Sequence, residues 1–273
     1  MHGPARMRTC SVPTGFEMKK YTLLPTDTVE VNGTTLHRIQ ALRAFGSVAK
    51  GDLGGYVGSE DNLSHDGECW VSGDAQVSGS AHVYDDARVY DDAWVYGDAR
   101  VSGSAHVYDD ARVYDDAWVY GDARVSGSAW VYGTAWVHGT AWVYDTAWVY
   151  DNARVSGSAW VYGSAQIYGT ARVHGTAWVY DTAWVSGDAH VYGSAQVYGS
   201  AQIYGTARVY DNARIYSCTL VYGCAQVFNN AQVFNTAQVS GSAWVFGHTH
   251  LTSGEYKEEI LCEDMNNETT TDR

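Results

Sequence analysis

Three sets of residues have types and spacings that could do chemistry. The first is a pair of acidic doublets, Asp91-Asp92 and Asp109-Asp110, 18 residues apart. If residues at this spacing stack, the doublets lie about 4.8 Å from each other. They then repel unless a cation sits between them. The structural alternative is aspartate chosen for turn geometry. The second set is His138 and His174, with Ser156 midway between them. On one face they would stand roughly 10 Å apart, two strand spacings. A histidine in a cleft can deprotonate an acyl acceptor; a polar residue facing water is the structural alternative. His82, His106, His190, His248 and His250 have the same two readings. The third set is aromatic. Trp142, Trp160 and Trp178 fall in one column, beside Tyr144, Tyr162 and Tyr180. A flat block of outward rings is unusual, because large exposed apolar patches normally mark interfaces. Three readings stay open: an oligomer face, a platform for sugar rings, or cross-strand ladders that stabilise a thin core.

All three sets depend on one repeat. A six-residue unit runs from Trp70 to Leu251 without an insertion, as in Ala93-Trp94-Val95-Tyr96-Gly97-Asp98. Counting every sixth residue from Val71 to Leu251 gives 31 units. Ala and Val are two apart, so on an extended strand they point the same way. The residues on either side of Val point the other way. All 11 Trp stand immediately before the Val, and 18 of the 21 Tyr immediately after it. Two positions past the Val, from Gly73 to Gly247, comes Gly, Asp or Asn, with Ser217 the exception. These residues tolerate the left-handed region, so each unit ends in a corner. Thr134, Thr140, Thr146, Thr170, Thr176 and Thr182 sit at those corners. An ice-binding array would need Thr on the flat faces instead.

The pattern resembles the hexapeptide-repeat, left-handed parallel β-helix (trimeric LpxA-like) superfamily, with an aliphatic residue at the inward point and a small one two before it. The resemblance implies three units per coil, a left-handed all-β solenoid of about 10 coils, and a trimer. It also raises an acyl-CoA-dependent acyltransferase as an alternative to a non-catalytic structural or interaction rod; a carbohydrate-binding rod is a further alternative. Such enzymes shape their clefts with loops inserted between coils, and this repeat has none. The stretch over 18–71, with its Gly51-Asp52-Leu53-Gly54-Gly55 run, is similar to the N-terminal cap of YdcK-like bacterial and phage hexapeptide-repeat proteins. Its job would be to cover the first coil, whose open end is an unpaired β edge.

These readings divide the chain into an extension over 1–17, expected to be disordered, a β cap over 18–68, a solenoid over 69–252 and an acidic tail over 253–273. Thr28 to Leu42 is expected to form a hairpin around an Asn32-Gly33 turn. Glu255–Met265 is expected to form a short capping helix. Residues 77–100 recur unchanged as 101–124, a duplication of four units. With three units per coil, the copy lands each residue on the next face. Any site built on one face would be scrambled, so this half reads as scaffold of variable length.

Composition excludes several classes. The net charge of −14 argues against nucleic acid, which demands a basic footprint. No apolar run approaches the length of a membrane-crossing helix, so no membrane span is expected. Five scattered Cys lack metal spacing, and Cys218 and Cys224 fall at different corners, so neither a pair nor a cofactor is expected. A reduced cytoplasmic setting, or a phage particle, is the default expectation. The expected partner is another copy of the chain, a different protein or a glycan.

Overall fold

Each unit folds as its alternation requires. From Trp70–Val71 to His250–Leu251, every unit contributes one two-residue strand. The computed structural model of the protein describes residues 19–258. Each strand pairs in parallel with the strand three units on, as in Trp142↔Trp160 and Val143↔Val161. Three parallel sheets result, so a cross-section of the rod is a triangle. With about 4.8 Å per coil, its length is roughly 50 Å. The chain is an all-β, three-faced parallel solenoid.

The interior is Val on Val and Ala on Ala, with Val95, Ala141, Val143 and Val161 all at zero exposure. Where a hydroxyl replaces the Ala methyl, it finds a partner. Thr219 Oγ1 donates to the Tyr216 carbonyl at 2.7 Å, and Thr249 Oγ1 donates to that of Phe246 at 2.6 Å. This is the expected fate of a buried polar group in a dry core.

The corners explain the Gly/Asp/Asn rule. Gly127 has φ 62°, and a Cβ there would stand 2.8 Å from the Asp145 backbone nitrogen one coil on. Asp occupies the same conformation, as at Asp145 with φ 59°. Its carboxylate is put to use: Asp145 Oδ2 accepts the Gly163 N–H at 3.1 Å, and Asp181 Oδ2 accepts that of Gly199 at 3.1 Å. Ser217 adopts the same left-handed turn, with φ 62°. Corner threonines also tie coils together. Thr140 Oγ1 reaches the Gly157 carbonyl at 3.2 Å and the Ser158 hydroxyl at 2.8 Å.

At the N-terminal end, β1 (Tyr21–Val31) and β2 (Thr34–Ala41) form the expected antiparallel hairpin around Asn32-Gly33, both with positive φ. Leu36 and Ile39 are buried, whereas Leu42 is exposed. β3 (Leu53–Val57) pairs antiparallel with β2 and parallel with Gln76–Val77. It is the junction between hairpin and solenoid. Gly54 and Gly55 permit this closeness, since a Cβ on either would come within 2.5 Å of a first-coil carbonyl. Asn62 then donates its side-chain amide to the Gly79 and Ala81 carbonyls at 3.0 and 2.8 Å, capping the coil below. Lys20 is fully buried in this cap. Its Nζ donates to the Cys69 carbonyl at 2.9 Å and the Asp66 carbonyl at 3.2 Å, and lies 3.1 Å from Cys69 Sγ.

The C-terminal end departs from expectation. Glu255–Tyr256 is a strand, not the start of a helix, and pairs parallel with Gln238–Val239. Lys257 and Glu258 are not helical either, and the rest of the expected helix, over 259–265, like the extension over 1–17, lies outside the described residues.

Candidate interaction surface

The aromatic columns are ladders of stacked rings. Trp142 and Trp160 lie 5.1 Å apart at 2°, and Trp160 and Trp178 lie 5.5 Å apart at 12°. Beside them Tyr144, Tyr162 and Tyr180 repeat at 4.9 Å, and the column continues through Tyr198 and Tyr216 to Phe234. The strand repeat forces this spacing, and aromatic pairs at such distances add about 0.5–1.5 kcal/mol each beyond area burial. Within a column each ring covers its neighbour's faces, so water meets mainly ring edges. Trp178 keeps 38% of its surface exposed. Burial, then Tyr162 and then Asp145, push the Tyr144 phenol up to about 12. Burial, then Tyr198 and Tyr162, do the same to Tyr180, also to about 12.

Ladders occur on all three faces, beyond the one face whose residues the sequence analysis names. Tyr96, Tyr114, Tyr132, Tyr150 and Tyr168 form a second column. Tyr192, Tyr210, Phe228 and Phe246 form a third. The same three-unit step is enough to find them. Arginines join the Trp columns: Arg124 lies 4.8 Å over Trp142, and Arg112 lies 5.1 Å from both Trp94 and Trp130. Such contacts suit guanidinium on an indole face. The face of Trp142 is still distinct. It alone puts three Trp in unbroken succession, beside six successive Tyr or Phe rings.

The two histidines share another face but sit in separate stacks. His138 lies on Tyr120 at 4.8 Å and 8°, and His174 lies on Tyr192 at 5.0 Å and 5°. Burial, then Arg154, lowers the His138 pKa; burial, then Arg172, lowers that of His174. Each imidazole is a ladder rung whose protonation is disfavoured. Asp91 and Asp109 both occupy the left-handed corner, with φ of 58° and 56°. Asp92 N–H donates to the Asp109 carbonyl at 3.1 Å. Asp109 Oδ2 is taken by the Gly127 N–H at 3.0 Å, one coil away from Asp91. Asp110 follows Asp109 at the same corner. Among the described residues, no three His, Cys, Asp or Glu come together to hold a metal ion.

The YdcK β-solenoid repeat family matches residues 81–97, 93–109, 105–121, 117–133, 147–163 and 201–217. The chain carries YdcK β-solenoid repeats. The matched repeats all lie in the solenoid, which the hexapeptide resemblance covers, and none falls in the stretch over 18–71. Two of them, 117–133 and 147–163, contain Trp130 and Trp160 from the ladders. No curated protein matches the chain. Among the described residues no helix is long and apolar enough to cross a membrane. Cys218 and Cys224 are free and exposed, as their different corners require.

Proposed function

We propose that the chain is a non-catalytic structural or interaction module, a rigid rod that self-associates through the face of Trp142, Trp160 and Trp178. The carrying observation is the block of three stacked Trp beside six successive aromatic rings, the widest on the molecule. Trp is favoured at interfaces because one residue buries much area at little entropic cost. Charge placement supports a second copy as the partner. Arg124 and Arg214 bracket the Trp column on the same sheet, while the adjoining corners carry Asp145 and Asp181. Arginine and aspartate on one face give a second copy opposite charges to meet, which would favour like rods.

The test replaces Trp142, Trp160 and Trp178 together with Gln, a residue the same column already uses at Gln196 and Gln232. The β-sheet circular dichroism should be retained. Light scattering should give wild type a mass that is a multiple of the 29.9 kDa chain, and give the triple variant a smaller particle. A monomeric wild type would leave the ladder as a stabilising device alone and end the proposal.

A further inference from the structure

Where the N-terminal hairpin overhangs the solenoid, a cleft of about 510 Å³ opens. That size lies within the range of small-ligand sites, about 300–1,000 Å³. The tip of the hairpin, Val31, Asn32 and Thr34, forms one wall; Gln76, Ser78, Trp94, Tyr96 and Arg112 face it from successive coils.

Residue choice makes this cleft. In the second Tyr column the rungs run upward from Tyr96, which stacks on Tyr114 at 4.8 Å. The rung below Tyr96 is Ser78, and the rung below Trp94 is Gln76, which pairs with it in register. Both ladders therefore stop one coil short of the cap. Tyr96 is covered from above by Tyr114, and Trp94 by Arg112 at 5.1 Å. The other face of Trp94 meets the Gln76 side chain, while that of Tyr96 looks onto the small Ser78 and is left open. An open aromatic face beside an indole, at one end of a cleft, suits a ring whose own face is apolar and whose rim is polar.

Polar groups in the cleft narrow the ligand further. Gln76 Oε1 is buried and turned away from the cleft, so it offers a ligand no acceptor. Arg112 is the one charged residue among those lining the cleft, in a chain of net charge −14. Its guanidinium is flanked by two indoles, and among the described residues no carboxylate pairs with it. We infer that the cleft between the hairpin tip and Trp94, Tyr96 and Arg112 binds an acidic oligosaccharide, with one ring against the open face of Tyr96 and a carboxylate further along the sugar chain on Arg112, two coils away. This site lies on a different face from the Trp142 block, so it stands or falls independently of self-association.

The test is calorimetric titration of the full chain with short oligosaccharides of glucuronate, galacturonate and mannuronate, each beside its neutral parent sugar. At least one acidic oligosaccharide should bind at sub-millimolar concentration, about tenfold or more tighter than its neutral counterpart, because a charge-assisted bond is lost. Arg112→Gln should abolish that preference. Ser78→Tyr should complete the ladder, fill the cleft and abolish binding. Ser102→Tyr inserts the same ring between Tyr84 and Tyr120 on another face, and should leave binding unchanged. Particle mass should be unaffected by any of the three. The inference is overturned if no acidic oligosaccharide binds wild type at millimolar concentration, if neutral and acidic sugars bind alike, or if folded Ser78→Tyr binds as wild type does.

Discussion

Replacing Val143 with Asp, and its neighbour Tyr144 with Ser, probes the inward and outward partition on a single strand. Val143 has zero exposure and is stacked between Val125 and Val161. Losing its burial costs about 1.5–3 kcal/mol. Stranding a carboxylate among Val and Ala, with no partner in reach, adds roughly 3 kcal/mol or more. Val143→Asp should therefore lose about 5 kcal/mol or more. Tyr144 stacks on one Tyr, Tyr162, because the rung below it is Ser126. Tyr144→Ser should thus forfeit about 0.5–1.5 kcal/mol for that pair. Urea unfolding followed by far-ultraviolet circular dichroism reads both. Because repeat stability is nearly a sum of neighbour terms, Val143→Asp should also broaden the transition as the rod melts outward from the lesion. Equal losses for the two variants would refute the partition and the solenoid reading with it.

Further outcomes follow from the same geometry. Deleting 101–124 should leave a soluble, cooperatively folded, shorter rod by circular dichroism and gel filtration, since each copied unit meets equivalent neighbours. Gly127→Ala should cost roughly 1–2 kcal/mol in urea unfolding, because Ala enters the left-handed region poorly and its Cβ would stand 2.8 Å from the Asp145 nitrogen; Gly127→Asn should cost less. Tyr144 and Tyr180 titrate in the folded rod at about 12, above the usual phenol value of about 10. The unfolded chain therefore sheds these protons first. The stability they contribute is complete below pH ~10 and is lost as pH rises from ~10 toward ~12. Absorbance at the phenolate band and β-sheet circular dichroism should change together over that window.

The solenoid was legible because one residue pattern carries both local and global instructions. Val and Ala two apart state which side is buried, and Gly or Asp states where the chain turns. The number of units per coil was not in the period itself; it came with the family resemblance, and the pairing of Val143 with Val161 bears it out. What failed lies where the period breaks. Tyr256 pairs with Val239, one residue short of the regular three-unit step. A strand one residue out of step, in an acidic stretch, reads as a helix. Lys20 stands beside a second lysine in a polar stretch, but its burial depends on the Cys69 and Asp66 carbonyls, far along the sequence. No local pattern announces that. The ladders on the other two faces are visible at the same three-unit step, but the unbroken run of Trp142, Trp160 and Trp178 overshadows them. The saccharide cleft was invisible for a different reason. It exists only because the hairpin overhangs Ser78 and Gln76.

Sedimentation velocity, comparing faces, tests the central claim most directly. Three chains are run: wild type, the variant with Trp142, Trp160 and Trp178 changed to Gln, and a control with Trp130, Trp148 and Trp184 changed to Gln on another face. The account predicts that wild type and control sediment as the same oligomer, while the first variant sediments as an elongated single chain. A wild type that sediments as a single chain, or an oligomer dissolved only by the control substitutions, would contradict it.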